Sequence, residues 1–225
     1  MAHERIGAVI TAAGKGKRMR GVDKLFTEIS GRPLIARTMD AFHRCDAVTE
    51  IVLVLSRENI DRGRKLALAG CWPKLKTICE GRARRQDSVR EGLKQLSECQ
   101  WVIIHDGARP LVTPEVIQRG IAEANMTGAA IAAVPVQNTI KRVSSEGIVL
   151  ETLARDELWA VQTPQVFRYD LIMRAHKTIT VDVTDDAAMV ERLGNPVKVY
   201  PGDYRNIKVT TPDDLALVEW LLQEQ

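Results

Sequence analysis

Residues 8–24 read AVITAAGKGKRMRGVDK, a run of small and β-branched apolar residues that passes directly into a glycine-bearing, positively charged turn. The preceding strand, taken as residues 6–11, is almost continuously apolar, which suits a strand covered on both faces of a parallel sheet. Ala12, Ala13, Gly14 and Gly16 keep bulk away from the backbone, so N–H groups can face an anion. Lys15, Lys17, Arg18, Arg20 and Lys24 bring neutralising charge. The expectation is a nucleoside triphosphate site at the end of the first strand. Two common phosphate loops do not fit. The dinucleotide pattern needs glycine at position 19, where Met19 stands, and a G-x-x-x-x-G-K-[ST] loop cannot be placed.

Outward from this stretch, strand and helix patterns alternate. Pro33 is expected at the first position of a helix carrying Leu34, Ile35, Thr38, Met39 and Phe42 at helical spacing. Residues 51–55 read as a second buried strand, 58–69 as a charged helix, 76–80 as a short strand, and 87–96 as a helix with Ser88 in its first turn. Residues 101–104 form a fourth strand running into the polar cluster HDGARP at 105–110. Ligands of open α/β sheets bind beyond the carboxyl ends of strands, so this cluster is expected beside the first turn. Thr113 and Pro114 cap a helix to about residue 124, and 129–134 is an alanine-rich strand.

The alternation breaks between 137 and 165. Two apolar stretches around a Ser-Ser-Glu-Gly turn read as a two-stranded arm at about 137–158. An exposed apolar hairpin marks a partner surface and suggests a homodimer. The chain re-enters the domain with residues 159–165, and a helix at about 169–175 follows. Thr184 is then expected to cap a helix ending at Gly194, with late strands at 197–200 and 206–209 and a last helix opening at Thr211. The fold class is α/β, a Rossmann-like, doubly wound, mostly parallel sheet with a projecting β-arm, in one domain spanning 1–225.

The bulk numbers agree. The chain has 225 residues, 45% hydrophobic and 27% charged, with a net charge of +3, which is ordinary for a globular protein and only mildly basic. No nucleic-acid partner is expected: the arginines at 82, 84, 85 and 90 occur in a chain with 4% aromatic residues and no recognisable nucleic-acid-binding module, and they read instead as a solvated or triphosphate-facing patch. The start of the chain has no long apolar segment and no run approaches the ~20 residues of a membrane helix, so a cytoplasmic protein is expected. Cys45, Cys71, Cys79 and Cys99 form no C-x-x-C pair and the histidines show no ligand spacing; free buried thiols and no protein-built metal site are expected. Trp101 and Trp220 read as core residues.

AAGxGxRM at 12–19, DSV at 87–89, HDGARP at 105–110, PVxxTIKR at 135–142, WxxQTPQxF at 159–167, TDD at 184–186 and NIKVT at 206–210 occur in an order that resembles the 2-C-methyl-D-erythritol 4-phosphate cytidylyltransferase family. The motifs span almost the whole chain. The chain departs from the pattern in having Asp23 before Lys24 where many relatives have proline, Gly107 where alanine is frequent, and Arg82 for a small or acidic residue. The resemblance implies CTP and 2-C-methyl-D-erythritol 4-phosphate as substrates, and Mg²⁺ bound mainly through the triphosphate. It places Arg18, Lys24, Arg155 and Lys208 in catalysis, with Ala12, Ala13, Gly14, Gly16, Gly81 and Ser88 around the nucleotide. Asp106, Arg109, Thr139, Thr163 and Thr184 fall at the second substrate, Thr139 and Arg155 reaching the neighbouring subunit's site. Asp106 remains open between a substrate hydroxyl and Mg²⁺. Two other readings are a cytidylyltransferase for another polyol phosphate, such as ribitol 5-phosphate, and a non-catalytic nucleotide-binding relative.

Overall fold

The computed structural model describes residues 4–14 and 24–224. β1 (Ile6–Ala12) is followed by a 3-10 turn at Lys24–Phe26, the short ribbon β2 (Glu28–Ile29) and β3 (Arg32–Pro33), and α1 (Leu34–Arg44). Next come β4 (Glu50–Leu55), α2 (Ile60–Gly70), β5 (Leu75–Glu80), α3 (Arg85–Leu93), β6 (Trp101–Asp106), α4 (Pro114–Thr127) and β7 (Ala129–Pro135). The ribbon β8 (Lys141–Val143) and β9 (Val149–Thr152) leads to β10 (Trp159–Arg168), α5 (Tyr169–Thr178), α6 (Ala187–Arg192), β11 (Lys198–Pro201) and α7 (Pro212–Gln223).

The main sheet has seven strands in the order β11-β7-β10-β6-β1-β4-β5. β10 runs antiparallel to both β6 and β7, and the other pairs are parallel. Strand alternation divides the core in two. Ala8, Ile10, Leu53 and Ile103 face α1 and α4 on one side; Val9, Val52, Val54, Val102 and Ile104 face α3, α5 and α6 on the other. Each such fully buried Val, Leu or Ile side chain contributes about 1.5–3 kcal/mol. Covering both faces of β1, β4 and β6 therefore accounts for their unbroken apolar sequences.

The chain leaves β1 toward β4 and β5, then returns through α3 to β6 on the other side of β1. A crevice opens at this reversal, where Thr11 of β1 stands opposite Asp106 of β6. A Cβ at Gly92 would lie 2.5 Å from Val9 Cγ1 and 2.8 Å from Val54 Cγ2, so a glycine here lets α3 sit tightly over β1 and β4 with its N-terminus at the crevice.

Several expectations are corrected. Pro33 is the N-cap of α1, one position before the expected place. α3 starts at Arg85 with Arg84 as N-cap and stops at Leu93. Thr184 is exposed and caps nothing, because Asp185 Oδ1 accepts from Ala188 N at 3.0 Å and supplies the cap of α6 instead. Residues 206–209 are not a strand. Side chains take ladder positions there: Arg109 donates to Asn206 O and Lys24 to Val209 O, leaving Val209 N→Ala108 O as a sheet-like bond. Trp220 is 56% exposed, because it stands two residues from the buried Val218 and so on the opposite side of α7. All four cysteines are free, but Cys45 alone is fully buried; Cys71 is exposed and Cys79 and Cys99 are half-buried. No helix among the described residues is long and apolar enough to cross a membrane.

Candidate active site

The crevice holds a cavity of about 650 Å³ lined by the end of β1 (Thr11 to Gly14), Lys24, Leu25, the turn before α3, Asp106, Ala108, Lys208 and Thr210. Of the residues singled out from the sequence, Ala12, Ala13, Gly14, Lys24, Ser88, Asp106 and Lys208 line it. Gly81 and Thr163 are not in the lining but touch residues that are, Gly81 packing on Ala13 and Ser88 and Thr163 Oγ1 accepting from Asp106 N. Arg18 and Gly16 lie outside the described residues. Arg109 is buried behind Asp106, while Thr139, Arg155 and Thr184 are exposed and do not line this cavity.

On one side of the cavity two turns pack directly together. A Cβ on Gly81 would come within 2.3 Å of Ala13 Cβ and 2.8 Å of Ser88 Oγ, so any side chain at 81 would push the turn before α3 away from the end of β1. Ser88 Oγ accepts from Arg82 N at 2.8 Å and lies 3.1 Å from the carbonyls of Arg82 and Arg84, which fixes the turn at the mouth of α3. The cavity wall that these turns make is built of small residues, Ala12, Ala13, Gly14 and Ser88.

The other side is ionic. Asp106 Oδ2 lies 2.7 Å from Lys208 Nζ and 3.7 Å from Arg109 Nε, and Oδ1 accepts from Arg85 Nε at 3.3 Å. Burial alone would raise the Asp106 pKa, but Arg85, Lys208 and Arg109 together hold it well below the usual carboxylate range. Lys24 Nζ donates to Val209 O at 2.6 Å, which places its ammonium beside the segment carrying Lys208. Among the described lining residues the balance is four cationic side chains, Lys24, Arg82, Arg85 and Lys208, against the single carboxylate of Asp106. That surplus suits a polyanion.

Arg82 and Arg85, which line the cavity, belong to the arginine run that the sequence reads as a solvated or triphosphate-facing patch, without individual roles. Spacing to Ser88 does not separate Arg85 from Arg84, since three and four residues both share a helix face. The carboxylate partners of Arg85 come from residues far away in the chain.

Beneath Asp106, His105 is wholly buried against the Phe42 ring, with centroids 4.9 Å apart. Thr163 Oγ1 accepts from Asp106 N at 3.0 Å and so offers its own proton to His105 Nδ1, also at 3.0 Å. This assigns the remaining proton to Nε2, which faces Arg109 O at 3.4 Å. Burial drives the His105 pKa down from 6.5 to about 3. A depressed pKa stabilises the fold fully above the unfolded value, and that stability is lost as pH falls. Between pH 6.5 and about 3, unfolding free energy is expected to decline by up to about 1.4 kcal/mol per pH unit. Denaturant titrations of wild type and His105→Gln across this range check it: the variant's slope should be visibly flatter, and equal slopes would refute the assignment.

A sequence model of the 2-C-methyl-D-erythritol 4-phosphate cytidylyltransferase family matches residues 6–224. The chain is 46% identical over 222 residues to a protein of that name from Dehalococcoides mccartyi, covering 99% of this chain and 98% of the other. It is 47% identical over 221 residues to one from Halalkalibacterium halodurans, covering 96% of each. The crystal structure of 4-diphosphocytidyl-2C-methyl-D-erythritol synthase from Anaerococcus prevotii superposes with a TM-score of 0.87 at 31% identity, covering 98% of this chain and 97% of that one. The corresponding cytidylyltransferase structure from Thermus thermophilus gives 0.78 at 30% identity, covering 97% and 99%.

Proposed function

The chain belongs to the 2-C-methyl-D-erythritol 4-phosphate cytidylyltransferase family, and from that premise we propose how its residues carry out the reaction. The enzyme transfers a cytidylyl group from CTP to 2-C-methyl-D-erythritol 4-phosphate, a step in isoprenoid precursor synthesis. The observation that carries the reading is the cationic cavity at the sheet's reversal point, with a wall of small residues on one side and the Asp106–Lys208 pair on the other.

An oxygen of the alcohol phosphate attacks the α-phosphorus of CTP. A new P–O bond forms, the α–β bridging bond breaks, and its electron pair leaves with pyrophosphate. Both partners are anions, so the protein's main work is to hold them together and neutralise growing charge. The pyrimidine lies in the cavity against the wall of Ala13 and Ser88, which Gly81 lets pack together, and Ala12, Gly14 and Gly16 are assigned to the phosphates. Arg18 and Lys24 stabilise charge at the α-phosphoryl group and the leaving pyrophosphate. Lys208 positions the attacking phosphate, with Asp106, Arg109, Thr163 and Thr184 on the side of the second substrate.

Family chemistry is generally dependent on a divalent cation. Asp106 is poorly suited to hold one, since both of its oxygens already face cations. Among the described residues there is no group of three or more potential metal ligands. We assign Mg²⁺ to the triphosphate, where it would supply charge neutralisation.

We read the chain as one cytoplasmic domain that works as a homodimer through the arm at about 137–158. Val143, Ile148, Val149, Leu150, Trp159 and Val161 are exposed on and beside the ribbon. Arg155, which donates to Gln137 O at 3.0 Å at the arm's base, and Thr139 would then serve the neighbouring cavity.

Two measurements test this. Pyrophosphate release should occur with CTP and the methylerythritol phosphate, and far less with ATP, GTP or UTP or with ribitol 5-phosphate; absence of turnover with CTP rejects the enzyme. Mixing inactive Lys24→Ala and Arg155→Ala subunits should restore activity, because one site of each heterodimer keeps both side chains. No recovery in proven heterodimers would reject the shared site.

A further inference from the structure

Behind Asp106 the charge pattern continues into the protein. Arg85 Nη1 donates to Asp186 Oδ2 at 2.6 Å, while its Nε faces Asp106 Oδ1 at 3.3 Å. Asp106 Oδ2 in turn lies 2.7 Å from Lys208 Nζ. Charges of alternating sign thus run Asp186, Arg85, Asp106, Lys208 from a fully buried carboxylate to a half-exposed ammonium. Past Asp186, Oδ1 is 3.4 Å from His176 Nε2.

The segment before Asp186 is registered against the same helix. Gln86 Nε2 donates to Val181 O, and its Oε1 accepts from Val183 N, both at 3.2 Å. Arg84 Nη1 donates to Asp182 Oδ1 at 2.9 Å. Asp186 is therefore fixed relative to Arg85 from both sides of the contact.

A guanidinium is a rigid plane, so holding one of its nitrogens sets where the others point. Asp186 holds Nη1, which fixes the Nε that meets Asp106 Oδ1, and Asp106 in turn holds Lys208 through Oδ2. We infer that Asp186 is a positioning residue for the transfer: by anchoring Arg85 it sets the orientation of Asp106 and so aims the Lys208 ammonium that receives the alcohol phosphate. The inference rests on the assignment of Lys208 made above.

Steady-state kinetics with CTP and 2-C-methyl-D-erythritol 4-phosphate test it. Asp186→Asn should raise KM for the alcohol phosphate by about tenfold or more, as losses of supporting partners do elsewhere, while KM for CTP stays within about twofold. In a Lys208→Ala background the same change should add less than about twofold, since it acts through that lysine. Arg85→Lys keeps the charge but cannot bridge two carboxylates, so it should show the same KM split, and it carries the test if Asp186→Asn folds poorly. Wild-type KM for the alcohol phosphate in Arg85→Lys, equal rises in both KM values, or multiplicative effects with Lys208→Ala would overturn the inference. Wild-type behaviour of Lys208→Ala itself would instead remove the Lys208 assignment, and the inference with it.

Discussion

Lys24→Ala is expected to lower kcat by about 100-fold or more, the scale seen when one preorganised charge stabiliser is removed. The side chain opens the 3-10 turn at Lys24–Phe26 and lines the cavity, with Nζ held 2.6 Å from Val209 O. That bond fixes the ammonium at a backbone carbonyl, so it is in place before substrates arrive and needs no reorganisation as charge develops. The charge that grows fastest in phosphoryl transfer lies on the α-phosphoryl oxygens and the leaving pyrophosphate. A group stabilising that charge lowers kcat when lost and moves KM for CTP much less. Single-turnover rates at saturating CTP measure this directly. Lys24→Arg should recover part of the rate, because the charge returns on a longer, planar group. A kcat within about threefold of wild type for Lys24→Ala would rule out the assigned role.

The strands that carry this site were legible because burial leaves a one-dimensional trace. β1, β4 and β6 are covered on both faces, and each is apolar at consecutive positions. Thr113 with Pro114, and Thr211 with Asp214, announced the starts of α4 and α7 because caps are local chemistry. Where the structure departs from expectation, a distant partner decides. Residues 206–209 have the composition of a strand, but Arg109 and Lys24 occupy their carbonyls. Thr184 has the chemistry of a cap, but Asp185 makes the bond.

The candidate site divides in the same way. Small residues at 12–14 and 81 report close approach of two turns, which sequence alone expresses as a preference for glycine and alanine. Arg85 was hidden within a run of arginines. Arg84 turns outward to Asp87 and Asp182, whereas Arg85 turns inward between Asp106 and Asp186, and only the fold brings those carboxylates to it.

Lys208→Ala is expected to cost about 100-fold or more in kcat/KM for the alcohol phosphate while changing stability by about 1 kcal/mol or less. The two halves of this expectation come from one geometry. The Lys208 side chain is 40% exposed, so its 2.7 Å contact with Asp106 is screened by water and adds little to folding. Asp106 also keeps Arg85 and Arg109 as cationic neighbours when Lys208 is gone, so its buried charge is not left uncompensated. An ammonium that contributes little to the fold, held at a cavity wall by a buried carboxylate, is disposed to receive an incoming anion. Orientation of the attacking oxygen depends on that fixed point, and misplacement by about 1 Å can cost about 100-fold. Lys208→Arg separates charge from position: a guanidinium would fork onto Asp106 and draw the charge away from the substrate, so it should rescue poorly. Thermal melts alongside kinetics in both substrates decide the matter. A fall in activity matched by an equal fall in stability would make Lys208 a structural residue, whereas lost activity in a protein that melts like wild type leaves positioning of the phosphate as its work.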